Sequence, residues 1–204
     1  MLTLSWDLFI IVVFAVIVAY SFIVGRENTL KIIIGSYLAI LTADGLGNLL
    51  KIYALSSQEF LFFLKFMGLA NPEYTLLMFK ILIFISAIVI IVLRGGFEVT
   101  PGGFGSDGAL GVIMALIFGF LSAGLVISTM LIYVSGASFV SGTMNLSNVA
   151  LSGPYKDSQM IRMMIDNYNF WFSLPAVAFL ITSLFGKKAE AGYKYFAIFL
   201  HVGR

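Results

Sequence analysis

Long apolar runs separated by short polar breaks organise the chain, and their lengths predict four membrane-spanning helices. The first occupies residues 8–25, with Trp6 as an interfacial anchor and Gly25-Arg26 at its end. No Lys or Arg precedes it and no small-residue cleavage site follows, so a span is expected and not a signal peptide. The second, residues 30–50, is apolar to Ala43 and then reads Asp44-Gly45-Leu46-Gly47-Asn48. Its last turns are expected near the headgroups or turned inward against protein. The third covers residues 74–93 and stops at Arg94-Gly95-Gly96, and the fourth, residues 107–134, is long enough to tilt.

Between the second and third spans the pattern changes. Phe60, Leu61, Phe62, Phe63, Leu64 and Phe66 surround Lys65, too few apolar residues to cross a bilayer. Residues 58–70 therefore predict an interfacial helix, broken by Pro72. Gly-rich residues 95–108 predict turns, and the Ser, Gly and Asn of residues 135–153 a polar loop. In residues 158–169, Met160, Ile161, Met164 and Ile165 recur at helical spacing opposite Asp157, Arg162 and Asp166, predicting an amphipathic helix. Residues 170–185 are apolar but short and contain Pro175, which leaves a fifth span or a re-entrant or interfacial segment open. The expected organisation is thus a four-span bundle over residues 1–134 and, over 135–204, a loop, an amphipathic helix and that C-terminal segment. The fold class is all-α.

Composition strengthens the membrane reading. Of 204 residues, 60% are hydrophobic and 11% charged, with mean hydropathy +1.03. Soluble domains are nearer half apolar and a quarter charged. A net charge of +2 gives no reason to expect a nucleic-acid partner. With no cysteine and only His201, neither disulfides nor a cysteine or histidine metal cluster is expected within one chain. The few charges between spans favour Arg26 and Arg94 on the cytoplasmic side by the positive-inside rule, with the N-terminus outside, whereas Lys187, Lys188, Lys194 and Arg204 favour the same side and would require residues 170–185 to cross.

Within the fourth span, Gly111, Ala115, Gly119 and Ala123 stand four residues apart. That spacing lines them along one helix face, a groove that admits a second helix closely. The second helix can come from the same chain or from another copy. Ionisable residues inside apolar runs are costly and mark candidate sites. Lys80 lies about 9 Å into its span at the helical rise and can snorkel to the interface or pair internally. Asp44 either caps a turn, with Gly45 left-handed, or pairs with Lys80 inside the bundle. Asp7 and Asp107 each precede a span, where a carboxylate suits a helix N-terminus.

Three stretches resemble the bacterial colicin V production protein family of small inner-membrane proteins. Trp6-Asp7-Leu8-Phe9-Ile10-Ile11, followed one span later by Gly25-Arg26, is similar to its opening. Asp107-Gly108-Ala109-Leu110-Gly111, then Phe118-Gly119, is similar to the start of its fourth span. Leu174-Pro175 resembles the end of its C-terminal helix. The chain departs in having Gly25-Arg26 where the family has Arg-Gly, and Ser122 where an Arg often follows Phe-Gly. The resemblance implies a multi-pass protein of the bacterial cytoplasmic membrane, with Asp7, Arg26, Asp107, Gly111 and Gly119 as its motif residues. It also favours the re-entrant or interfacial reading of residues 170–185.

The chain carries no phosphate-binding loop, no H-E-x-x-H and no G-x-S-x-G, so no catalytic residue, metal or cofactor is expected. The first expectation is a non-enzymatic assembly, envelope-homeostasis or export-related component. Its partners would be the lipid bilayer and either a second copy of itself or other membrane proteins. A channel or small-solute transporter with a polar path near Asp44 and Lys80 is the alternative, and a membrane enzyme the weakest reading.

Overall fold

The computed structural model describes residues 5–66, 68–69, 71–94, 109–136, 139 and 152–183, and these form helices joined by short turns. Four helices are long and apolar enough to cross a membrane. They are α1 (Trp6–Val24), α2 (Arg26–Leu49, prolonged by a π-helical turn at Leu50–Ala54), α4 (Pro72–Arg94) and α5 (Ala109–Val134). The short α3 (Gln58–Phe66) lies between α2 and α4. It leaves Phe62, Phe63 and Phe66 exposed and only Leu64 buried, and it ends four residues short of the expected 58–70.

Local chemistry fixes the helix ends. Ser5 caps α1 by accepting from the Leu8 backbone N–H at 3.2 Å. Gly25 alone separates α1 from α2, at φ 84°, in the left-handed region that side chains disfavour. Its N–H bonds to the Ser21 carbonyl, and Thr29 Oγ1 donates to the Ser21 and Gly25 carbonyls, so the reversal leaves few polar groups open. Inside the spans, Ser36, Thr42 and Thr129 donate to carbonyls four residues back. This back-bonding satisfies hydroxyls without a partner helix.

Antiparallel pairing organises the bundle. Gly119 of α5 lies against Val18 and Ser21 of α1, and Ile10 shares a core cluster with Ile127. Gly35 of α2 meets Ile91 of α4, and Gly47 meets Lys80. One cluster joins Leu30, Ile33, Ala39, Ile40 and Ala43 of α2 with Phe84 of α4 and Phe118, Leu125 and Tyr133 of α5. The helix α5 serves both cores, because a second cluster joins its Ile127 and Leu131 to Ile10 and to C-terminal residues.

That C-terminal region packs into the bundle. After α6 (Ser152–Asp157), the amphipathic α7 (Gln159–Asp166) buries Ile161, Met164 and Ile165 and exposes Arg162 and Asp166. A further helix, α8, covers residues 168–183 and continues through Pro175. Its Trp171 enters the second cluster, while Phe172, Ala178 and Phe179 pack against the first. Proline lacks the N–H that would bond the Trp171 carbonyl. The adjacent Phe172 carbonyl accepts a hydrogen bond from the Tyr37 hydroxyl of α2, which ties the helix down beside the break.

Candidate functional site

Asp44 is fully buried on α2, on the face that meets α4 and α5. Helix α2 does not end there. It runs on through Gly45, and the left-handed glycines among the described residues are Gly25, Gly68 and Gly136. The turn-capping reading of Asp44 is therefore replaced by an ion pair. Lys80 Nζ lies 2.8 Å from Asp44 Oδ1, with both side chains almost wholly shielded. Lys80 points into the bundle and does not snorkel.

Three features build this pairing. A Cβ added to Gly47 would come within 2.6 Å of Lys80 Cε and 2.8 Å of Cγ, so the aliphatic stem lies across the bare glycine. The ring of Tyr133 on α5 stands 5.9 Å from Lys80 Nζ, within cation–π range. The Tyr133 hydroxyl donates to the Ile40 carbonyl at 3.2 Å, and Phe84 abuts the same ring edge-on at 5.8 Å. The ring face is thus held toward the ammonium. In a low-dielectric interior a charge without such partners is costly, whereas this pair joins α2 to α4 with the Tyr133 ring of α5 beside it.

Asp7 stands in the first turn of α1, where a carboxylate suits the helix N-terminus, and reaches further. Its own helix is capped by Ser5, and the Asp7 carboxylate contacts the start of α7. Oδ1 accepts from Ser158 Oγ at 2.6 Å and from the Met160 N–H at 3.0 Å. Ser158 is at once the N-cap of α7, accepting from the Ile161 N–H at 3.1 Å. One carboxylate therefore serves the positive ends of two helices.

Of the small-residue ladder, Gly119 and Ala123 are buried, and a Cβ at Gly119 would approach Ser21 Cβ to 3.2 Å. Gly111 and Ala115 are half-buried. Arg26 opens α2 and is partly buried. Asp107 lies outside the described residues. The apolar pattern passes over a second ladder with the same spacing, Gly35, Ala39, Ala43 and Gly47, all buried and facing α4 at its two ends. It also passes over Gly124, where a Cβ would fall 2.0 Å from the Trp171 ring. Four-residue spacing on α2 is the signal that reveals the first; a single glycine beside a distant tryptophan gives none.

Outside the spans, the Tyr155 hydroxyl donates to Asp166 at 2.7 Å, and this bond raises the Tyr155 pKa above the ordinary tyrosine range. Among the described residues no group of three acidic, histidine or cysteine side chains is placed to hold a metal. Comparison with family models, curated proteins and solved structures found no match to this chain.

Proposed function

We propose that the chain is a non-enzymatic integral membrane protein, acting as an assembly, envelope-homeostasis or export-related component of the bacterial cytoplasmic membrane. This is the role that the likeness to the colicin V production family suggests. The observation that carries it is the closure of the Asp44–Lys80 pair. Both charges are shielded and face each other at 2.8 Å, tying α2 to α4 beside the Tyr133 ring of α5. Small residues on α2 and α5 bring further helices into close contact. Close helix packing around a shielded ion pair supports the scaffold reading.

Reconstitution in liposomes tests the reading. Purified protein is expected to pass ions and small solutes no faster than empty vesicles do. In mild detergent it should co-purify with specific membrane proteins or with further copies of itself. A flux that Asp44→Asn abolishes would overturn the scaffold reading. It would establish the second one, a channel or small-solute transporter, which the presence of an ionisable pair inside a span favours.

A further inference from the structure

We propose that α7 and α8 together cross the membrane a fifth time, and that this crossing assembles a basic face that holds anionic phospholipid headgroups. The contacts of the C-terminal helices descend step by step along α1. At the start of α7, Ser158 and Met160 meet Asp7 in the first turn of α1. Ile161, Met164 and Ile165 then cluster with Ile10. Trp171 of α8 meets Phe14, with ring centroids 6.4 Å apart. Phe14 lies seven residues beyond Asp7, about 10 Å deeper at the helical rise. The antiparallel α5 shows the same descent in reverse numbering. Ser128 Oγ donates to the Met164 carbonyl at 3.3 Å, and Gly124, one turn nearer the start of α5, is crowded by Trp171.

The rest of α8 is long enough to finish the passage. From Trp171 to residue 183 it spans twelve more residues, about 18 Å. The end of α1 at Val24 is ten residues past Phe14, only about 15 Å. Taken alone, α8 is shorter than the roughly 20 residues a span needs, but α7 has already carried the chain inward. The surface of α8 also suits lipid. Residues 168–183 include no charged side chain, and Val177, Leu180 and Ile181 are exposed. The Thr182 hydroxyl donates to the Ala178 and Phe179 carbonyls of its own helix.

The crossing decides where charge gathers. Lys187, Lys188, Lys194 and Arg204 follow α8 in sequence, outside the described residues. After a crossing they emerge on the side of Arg26, Lys31 and Arg94, seven cations against the four carboxylates of Glu27, Glu98, Asp107 and Glu190. Apart from the buried Asp44–Lys80 pair, the opposite side then keeps four cations against five carboxylates. A net-basic surface beside the bilayer complements anionic headgroups, and the positive-inside rule puts that surface in the cytoplasm. This inference goes beyond the scaffold role and does not depend on it.

The protein has no cysteine, so single cysteines report sidedness when a membrane-impermeant maleimide is applied to intact and permeabilised cells. Lys65→Cys and Lys156→Cys are expected to react together on one side, Glu98→Cys and Lys188→Cys together on the other. Lys188→Cys reacting on the side of Lys156→Cys would overturn the crossing. For the headgroups, the full chain is reconstituted with equal phosphatidylglycerol and phosphatidylcholine, and lipids retained in mild detergent are counted by native mass spectrometry. Wild type should retain phosphatidylglycerol at least threefold over phosphatidylcholine. Replacing Lys187, Lys188, Lys194 and Arg204 by Gln should bring the ratio to parity, whereas replacing Lys51, Lys65 and Lys156 should leave it unchanged. No preference in wild type, or a preference that survives the first replacement or falls with the second, overturns the headgroup assignment.

Discussion

At the residue scale the decisive partners are Asp44 and Lys80, whose opposite charges meet inside the bundle at 2.8 Å. Breaking a buried pair by removing one member typically costs about 3–5 kcal/mol, whereas replacing both by apolar residues of similar volume is near neutral. Asp44→Leu and Lys80→Met are therefore each expected to lower the thermal midpoint in detergent sharply, while the double variant stays close to wild type. A double variant as unstable as the sum of the singles would show that the two do not act as a pair. The sequence shows both residues and leaves their roles open, because a carboxylate before Gly45 reads equally as a turn cap. Gly47 resolves the choice only in three dimensions, where its missing side chain is the space that the Lys80 stem fills. Tyr155 adds a prediction outside the spans. Its pKa is raised by donation to Asp166, so the bond contributes below the unfolded tyrosine value near 10 and is lost as pH rises through the higher folded value. Ultraviolet difference titration of wild type against Tyr155→Phe should show one tyrosine ionising later than the exposed ones.

Between elements, contacts are built from reciprocal shapes that hydropathy cannot report. The amphipathic α7 is legible from its four-residue repeat, yet its attachment to α1 depends on Asp7 meeting Ser158 across 151 positions of chain. Asp7→Ala removes an acceptor shared by the Ser158 hydroxyl and the Met160 N–H, and helix caps of this kind are worth about 1 kcal/mol. Hydrogen exchange should accelerate over residues 159–166 while α2 and α4 keep their protection, and uniform acceleration would place the effect elsewhere. The contact between α8 and α5 is more demanding. A methyl group at Gly124 would overlap the Trp171 ring, which is rigid and enclosed by Phe14 and Phe120. Gly124→Ala is expected to cost about 1–3 kcal/mol through overpacking. Trp171→Leu on the same chain should recover much of that loss, because the ring that collides is gone. No recovery in the double variant would mean that Gly124 matters for its backbone and not for the tryptophan.

For the molecule as a whole, the small-residue ladder of α5 raises the question of what fills its groove. Sequence alone admits a helix of the same chain or of another copy, since either satisfies the spacing. The structure seats α1 there: Gly119 faces Val18 and Ser21, Ala123 is closed off, and Phe14 of α1 meets Phe120 edge-on at 5.0 Å. In lipid, association of helices rests on such close approach, because the tails are as apolar as the side chains. Gly119→Leu should therefore act first on the single chain. A leucine there cannot fit against Ser21 without separating α1 from α5, and α1 also carries Asp7, which holds α7. The expected outcome is a folded protein in which hydrogen exchange over α7 accelerates, together with loss of a cysteine crosslink engineered between positions 14 and 120, whose rings touch in the wild type. Any oligomer should weaken only in proportion to that loss. If instead the crosslink within the chain persists and only an intermolecular one disappears, the groove belongs to a second copy. The antiparallel α1–α5 contact would then not be the one that the ladder serves.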